Sequence, residues 1–374
     1  LMHNVITNAW RGDPYPIDTL FLFMANMAWN SSMNTSEVRK MLVDKNPDGE
    51  YKIPFIVVAD AYQSETVQFA DLILPDTTYL ERHDVMSMLD RPISEFEGPV
   101  DSVRTPILPP KGESKPFQEV IIELGSRLGL PAFVNKKGER KYKDYPDFII
   151  NYETEPGSGI GFLAGWRGKG GEKFMAGEPN PRQWEMYAKN NNHYRHDLPR
   201  SYQYMRNWNE GYLQWAEHHR LIKQSRPVLC HLYSEVLQKF CLAAEGKREG
   251  RQPPDHLRGR IKDHFNPLPF YSEPLEQQLI DTREYPLNAI TQRPMAMYHS
   301  WDSQNAWLRQ IHGYNTLFMH PSVGSDGGFA DGDWVWAESP TGKIRCLASF
   351  SESVEPGTVW TWNAIGKSSG AWGL

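Results

Sequence analysis

Two stretches of this 374-residue sequence place many polar side chains directly after apolar runs. The first, Asp60 to Arg82, reads DAYQSETVQFADLILPDTTYLER. Its acidic Asp60 closes a run of strand-forming residues, and Ser64-Glu65-Thr66 can open the next helix. Ligands of open parallel sheets bind beyond the carboxyl ends of the strands. An acid placed there suits the guanine edge or ribose hydroxyls of a nucleotide, and equally suits capping of the turn that follows. The second stretch, Thr291 to Asn305, reads TQRPMAMYHSWDSQN. Here Arg293, His299, Ser300, Ser303 and Asn305 supply many donors in a short span. Phosphates need such donors, and a guanidinium grips phosphate through two parallel bonds. A single histidine in such a loop equally reads as a structural hydrogen-bonding residue.

The surrounding sequence must position these groups. Thr19 to Met24 is a short apolar run that suits a buried parallel strand, and Pro54 to Asp60 is a second. Phe69 to Pro75 returns as a third. Ser36 to Val43 is expected to be helical with Thr35 or Ser36 as its cap. Phe117 to Leu128 is also expected to be helical, with Val120, Ile121, Leu124 and Leu128 at helical spacing. This alternation predicts a parallel sheet with helices on its faces over residues 1–130. Residues 131–284 change character: a basic run from Lys136 to Lys143, a glycine-rich stretch around Trp166, and a segment rich in Asn, Arg and Tyr. They are expected to form an irregular linker or insertion with a helix at Glu235 to Glu245, wrapping over other parts of a larger protein. From residue 285 short strands return. Leu287 to Thr291 is one, and Trp334 to Glu338 and Lys343 to Leu347 form a hairpin around Ser339-Pro340-Thr341-Gly342. Ala330 to Asp333 is a tight turn, and the close spacing of strands and turns predicts a small barrel.

Composition narrows the class. A net charge of −6 argues against a nucleic-acid-binding protein while leaving room for a local basic pocket. No apolar run is long enough to span a bilayer, and the first residues lack the pattern of a secretory signal. Position 1 is Leu rather than Met, so the chain is expected to be cut from something longer. Cys230, Cys241 and Cys346 lie far apart, so no zinc or iron–sulfur site can be built from their spacing. The 13 tryptophans fit packing between domains, or, less simply, a carbohydrate-binding surface.

The first stretch resembles the molybdopterin oxidoreductase superfamily, which contains dimethyl sulfoxide reductase, nitrate reductases and formate dehydrogenases. Members carry a similar segment, matched here by Asp60, Tyr62, Ser64, Glu65, Thr66, Ala70, Asp71, Leu74 and Pro75, followed by Glu81-Arg82. Ala25-Asn26-Met27-Ala28 resembles the family's Gly-x-Asn-Pro loop, with Met27 in place of the proline. Thr291, Arg293, His299 and Ser300 match a strand-loop that contacts the dinucleotide. Phe318 to Pro321 and Gly328 to Val335 match further family turns. Residues 299–309 and 361–367 look most like the large subunit of quinone-dependent sulfite dehydrogenases, with polysulfide and thiosulfate reductases near relatives.

The resemblance implies a partial α/β domain at 1–130 and a truncated six-stranded double-psi β-barrel at 285–374, both contacting a bis-molybdopterin guanine dinucleotide that holds molybdenum or tungsten. It implies that Asn26, Asp60 and Arg82 meet the guanosine end, while Thr291, Arg293, His299 and Ser300 meet phosphate or pterin. It places the metal ligand and a 4Fe-4S cysteine cluster upstream of this chain, and the family's last segment after it. The chain is thus expected to be a carboxyl-terminal fragment that binds no molybdenum and oxidises no sulfite alone. The implied activity of the whole is oxidation of sulfite or another sulfur oxyanion. Polysulfide or thiosulfate reduction and formate oxidation are alternatives, and a non-catalytic scaffold is the alternative of another class. The implied partners are an iron–sulfur electron-transfer subunit, and with it a quinone-reactive membrane anchor. The implied place is the cytoplasmic side of the inner membrane, held peripherally through those subunits, with the periplasm as the other option.

Overall fold

A computed structural model describes residues 4–30, 34–87, 100–152, 163, 165–173, 177–195, 214–215, 217–220, 223–225, 235–247, 252–268, 270–271, 273, 279–301, 305–363 and 365. Its elements run in the order α1 (Val5–Arg11), β1 (Thr19–Phe23), α2 (Thr35–Val43), β2 (Phe55–Asp60), a 3-10 turn (Glu65–Phe69) and β3 (Leu72–Pro75). There follow β4 (Asp84–Ser87), β5 (Val100–Arg104), α3 (Phe117–Arg127), α4 (Tyr145–Asn151), α5 (Gln183–Lys189), β6 (His193–Arg195), α6 (Glu235–Ala244) and α7 (Asp255–His264). The last group is β7 (Asn288–Gln292), α8 (Ala306–Arg309), β8 (Thr316–Met319), α9 (Pro321–Gly327), β9 (Trp334–Ser339), β10 (Gly342–Phe350) and β11 (Thr358–Trp362). The chain divides into two compact units. One comprises residues 1–78, 110–117 and 274–374, and the other 79–109 and 118–273.

The first unit contains two sheets. β1, β2 and β3 form a parallel sheet in that order, as the three apolar runs predict. Leu20 and Leu22 of β1 and Ile56 and Val58 of β2 are buried with Ile6 and Ala9 of α1 and Val38 and Leu42 of α2. The helices therefore supply the apolar cover that a parallel strand requires. α2 starts one residue earlier than expected. Its cap is Asn34, whose side chain accepts the Glu37 N–H at 3.2 Å, rather than Thr35 or Ser36. The carboxamide of Asn34 reaches the first turn, so the two hydroxyl residues enter the helix instead.

The second sheet has five strands among the described residues, in the order β7-β11-β8-β10-β9. β7–β11 and β8–β10 are parallel pairs, while β11–β8 and β10–β9 are antiparallel. The predicted hairpin is present, with Trp334 opposite Leu347 and Ser339 opposite Gly342. Leu317, Met319, Cys346, Ala348 and Val359 make its core. Phe318 and Trp360 stack as a cross-strand pair with ring centres 3.9 Å apart. His320-Pro321 starts α9, with His320 Nδ1 accepting the Ser322 N–H and Pro321 at a position that needs no donor. The turn before β9 is closed by carboxylates: Asp333 accepts the Ala330 N–H and Asp331 the Phe350 N–H.

The second unit contains the antiparallel sheet β4-β5-β6. Its core gathers Val103, Ile149, Leu163 and Tyr187, with Trp166 and Tyr194 packed against it. Gln183 is fully buried, and its amide donates to the Leu163 and Gly165 carbonyls at 2.7 and 2.6 Å. The Tyr187 hydroxyl donates to the buried Asp101 carboxylate at 3.2 Å. Residues of the middle segment thus contribute α4, α5 and β6 to a packed core. The expected helix at Glu235 forms α6, where Phe240 meets Phe265 just beyond α7. No described helix is long and apolar enough to cross a membrane.

Candidate functional site

The candidate site lies at the carboxyl ends of β1 and β2 in the first unit. After β1 the chain turns sharply: Met24 adopts a φ of 43°, and its N–H donates to the Ala59 carbonyl at 2.9 Å. The left-handed conformation costs a non-glycine residue roughly 1–2 kcal/mol, and here it swings Asn26 inward. Asn26 is 1% exposed and makes the four hydrogen bonds its carboxamide can make. Its Nδ2 donates to Glu65 Oε2 at 2.7 Å and to Ser300 Oγ at 2.9 Å. Its Oδ1 accepts the Thr66 N–H at 3.2 Å and the Thr66 hydroxyl at 2.9 Å. Because a backbone N–H can only donate, the Thr66 contact fixes which way the amide faces.

Asp60 ends β2 and is also buried. It accepts from the Tyr62 N–H at 3.0 Å, the Ser64 hydroxyl at 2.9 Å and the Trp301 indole N–H at 3.2 Å. Burial raises the Asp60 carboxyl above its ordinary range, and these donors partly oppose that rise. Two bonds, Asn26–Ser300 and Asp60–Trp301, therefore tie the strand ends to a loop 274 and 241 residues away in sequence.

That loop follows β7. Thr291 is on β7 itself and exposed. Arg293 is exposed, and its Nη1 lies 3.3 Å from His299 Nε2. Among the described residues no carboxylate pairs with Arg293. With Nε2 facing a guanidinium, the imidazole carries its proton on Nδ1, and the pair presents only N–H donors outward. His299 holds a φ of 52°, the second strained residue of the site. Tyr298 stacks on Trp301 at 5.4 Å, beside an open pocket of about 440 Å³ lined by Arg293, Pro294, Met295, Ala296, Met297 and Tyr298. Met295 is wholly exposed at its rim.

Of the residues singled out from sequence, Asn26, Asp60 and Ser300 come together as a buried knot, and Arg293 and His299 as an exposed basic pair. Arg82 belongs to the second unit. It is buried there, 3.6 Å from Asp84 and with its guanidinium 5.2 Å from the Tyr79 ring centre. Glu65, Thr66 and Trp301 enter the sequence reading only as motif letters, yet they make the bonds that hold the knot. Ser303 and the rest of 302–304 lie outside the described residues, while Asn305 caps α8 by accepting from Trp307 and Leu308 N–H.

Residues 13–127 match the family model described as Molybdopterin oxidoreductase, and residues 287–371 match that described as Molydopterin dinucleotide binding domain. The A-type subunit of the sulfite dehydrogenase of Allochromatium vinosum is 76% identical over 374 residues, which is 100% of this chain and 39% of that protein. The chain belongs to the molybdopterin oxidoreductase family. Other family members align over most of it at lower identity. PhsA, the molybdopterin-containing subunit of the thiosulfate reductase of Salmonella typhimurium, is 24% identical over 387 residues, covering 99% of this chain and 41% of that one. The solved acetylene hydratase of Pelobacter acetylenicus shares the fold, with a TM-score of 0.57 at 22% identity over 96% of this chain and 38% of that one. The chain thus spans about two-fifths of the length of these relatives.

The family's dinucleotide carries phosphates, and the donor chemistry of the Arg293–His299 pair fits them. It offers a cation without a carboxylate partner among the described residues, beside a pocket and next to rings that can cover a flat heterocycle. The buried knot offers much less, because the Asn26 carboxamide is already fully hydrogen-bonded. Among the described residues no three His, Cys, Asp or Glu side chains come together to hold a metal ion.

Proposed function

We propose that this chain is part of the catalytic subunit of a molybdopterin oxidoreductase that oxidises sulfite, with the electrons passed on to quinone. The observation that carries this reading is the 76% identity to the sulfite dehydrogenase of Allochromatium vinosum, which runs along the whole chain. In the complete enzyme the bound molybdenum (or tungsten) and its bis-molybdopterin guanine dinucleotide would supply the two-electron chemistry. This chain's residues would bind and orient. Arg293 and His299 would hold a phosphate, with Thr291 and Ser300 bordering that contact. Asp60 and Asn26 would shape the nucleotide end, and Arg82 would meet its guanosine. The carboxyl-terminal sheet would complete the six-stranded double-psi barrel. A 4Fe-4S cluster elsewhere in the protein, an iron–sulfur subunit, and a quinone-reactive membrane anchor would carry the electrons away. That arrangement would place the enzyme peripherally on the cytoplasmic face of the inner membrane.

The test is to purify the full-length protein with its partner subunits and follow reduction of a quinone analogue. Sulfite is expected to support turnover, and thiosulfate, polysulfide and formate are expected not to. Turnover with formate alone, or thiosulfate reduction without sulfite oxidation, would remove the sulfite assignment. At the site, Arg293→Ala is expected to lower the cofactor content of the purified protein while leaving it folded. Unchanged content would take Arg293 out of the phosphate contact.

A further inference from the structure

We infer that Glu65 and Trp301 are positioning residues: they set the geometry of the Arg293–His299 pair without touching its ligand. The inference rests on the reading of that pair as a phosphate contact. The pair sits on an exposed loop at the end of β7, whose own residues are exposed throughout. Nothing in that strand fixes the loop. What fixes it is the pair of consecutive residues that follow His299. Ser300 is fully buried and accepts from Asn26, and Trp301 is 8% exposed and donates to Asp60. Asn26 can offer its second N–H to Ser300 because Glu65, 3% exposed, takes the first. The relay therefore runs from the Glu65 carboxylate through the Asn26 amide to Ser300, and by peptide linkage to His299. Trp301 adds a parallel tie one residue further on. Between them they hold His299 at its φ of 52°, the conformation in which Nε2 meets Arg293. A left-handed histidine relaxes readily once its anchors go, because the conformation is itself unfavourable by roughly 1–2 kcal/mol.

The side-chain chemistry distinguishes positioning from mere packing. Trp301→Phe keeps an aromatic ring over Tyr298 and deletes only the N–H. Glu65→Ala deletes the acceptor for Asn26, and Glu65→Gln keeps an acceptor oxygen of the same reach. Full-length protein prepared without cofactor is titrated with inorganic pyrophosphate, and hydrogen exchange is followed in the 293–301 segment. Trp301→Phe and Glu65→Ala are each expected to weaken pyrophosphate binding about tenfold, the loss of one well-placed hydrogen bond, and to speed exchange in that segment alone. Glu65→Gln is expected to restore both. Should Glu65→Ala fail to fold, Trp301→Phe carries the test by itself. If the Trp301 and Glu65 variants bind pyrophosphate as the parent does while Arg293→Ala loses it, positioning is refuted and the phosphate reading stands. If Arg293→Ala also binds normally, the phosphate reading falls and this inference falls with it. Faster exchange throughout the unit, with no rescue by Gln, would mark Glu65 and Trp301 as structural residues only and would also overturn the proposal.

Discussion

Replacing Asn26 tests the buried knot most directly. Asn26→Ala removes four hydrogen bonds in one step, two from Nδ2 and two to Oδ1. At a net contribution of about 1 kcal/mol each, the loss is about 4 kcal/mol. Part of that figure is the penalty for leaving the Thr66 N–H buried without its acceptor. For a unit of this size, about 2–4 °C of Tm per kcal/mol converts this to a fall of roughly 8–16 °C. Asn26→Asp is nearly isosteric, yet it is expected to be worse at neutral pH. It puts a carboxylate oxygen where Nδ2 now lies, 2.7 Å from Glu65 Oε2. Two like charges that close cost at least about 4 kcal/mol at an effective dielectric near 20, and the pair escapes by taking up a proton. The deficit of Asn26→Asp relative to Asn26→Ala is therefore present at neutral pH and shrinks as pH falls and the shared proton binds. The assay is thermal unfolding of the three proteins across pH 5 to 8, followed by near-ultraviolet circular dichroism. A fall in Tm below about 3 °C for Asn26→Ala would show that the knot contributes far less than its hydrogen bonds suggest. An Asn26→Asp variant milder than Asn26→Ala would show that the amide faces the opposite way.

Two further outcomes follow from packing and titration. Gly324 on α9 lies so close to Phe350 that a methyl group added there would fall inside the phenyl ring. Gly324→Ala is expected to cost about 1–3 kcal/mol, typical of overpacking, and Phe350→Leu in the same chain should recover part of it in urea unfolding. In the second unit, His83 stands edge-on to Trp184, and burial holds its pKa below the ordinary 6.5, with Asp144 opposing the shift. The unfolded chain then binds the proton more readily than the folded one, so stability is lost as pH falls below about 6.5. His83→Gln should flatten the Tm of the protein between pH 7 and pH 5.5, and an unchanged slope would exclude His83 as its source.

What could be read from the sequence follows from how local the information is. β1, β2 and β3 were legible because a strand buried in a parallel sheet needs a nearly unbroken apolar run, and such runs are short and bounded. The β9–β10 hairpin was legible because its turn residues sit between two strand-like segments. β4, β5 and β6 were not. Their sequences DVMS, VDSVR and HYR are short and polar, and β5 pairs with β6 across some ninety residues of intervening chain. The cap of α2 was misplaced by the presence of two hydroxyl residues just after the asparagine that does the capping.

The site itself shows the same limit in a sharper form. Motif matching picked out Asn26, Asp60, Ser300, Arg293 and His299 as one class of ligand-contacting residue. In the structure they separate into two: a knot with almost no accessible surface, and an exposed basic pair. Closing a loop of 241 to 274 residues costs on the order of 5 kcal/mol in chain entropy. Two hydrogen bonds of about 1 kcal/mol each do not offset that. Burial of Met27 and Ala28 on one side and of Met297 and Trp301 on the other must supply cohesion, leaving the bonds to choose one register of the loop among several. Register is what a phosphate contact needs, since a guanidinium displaced by an ångström loses its paired geometry. The polar residues that look most like ligand contacts in the sequence serve, on this account, to aim the two that are.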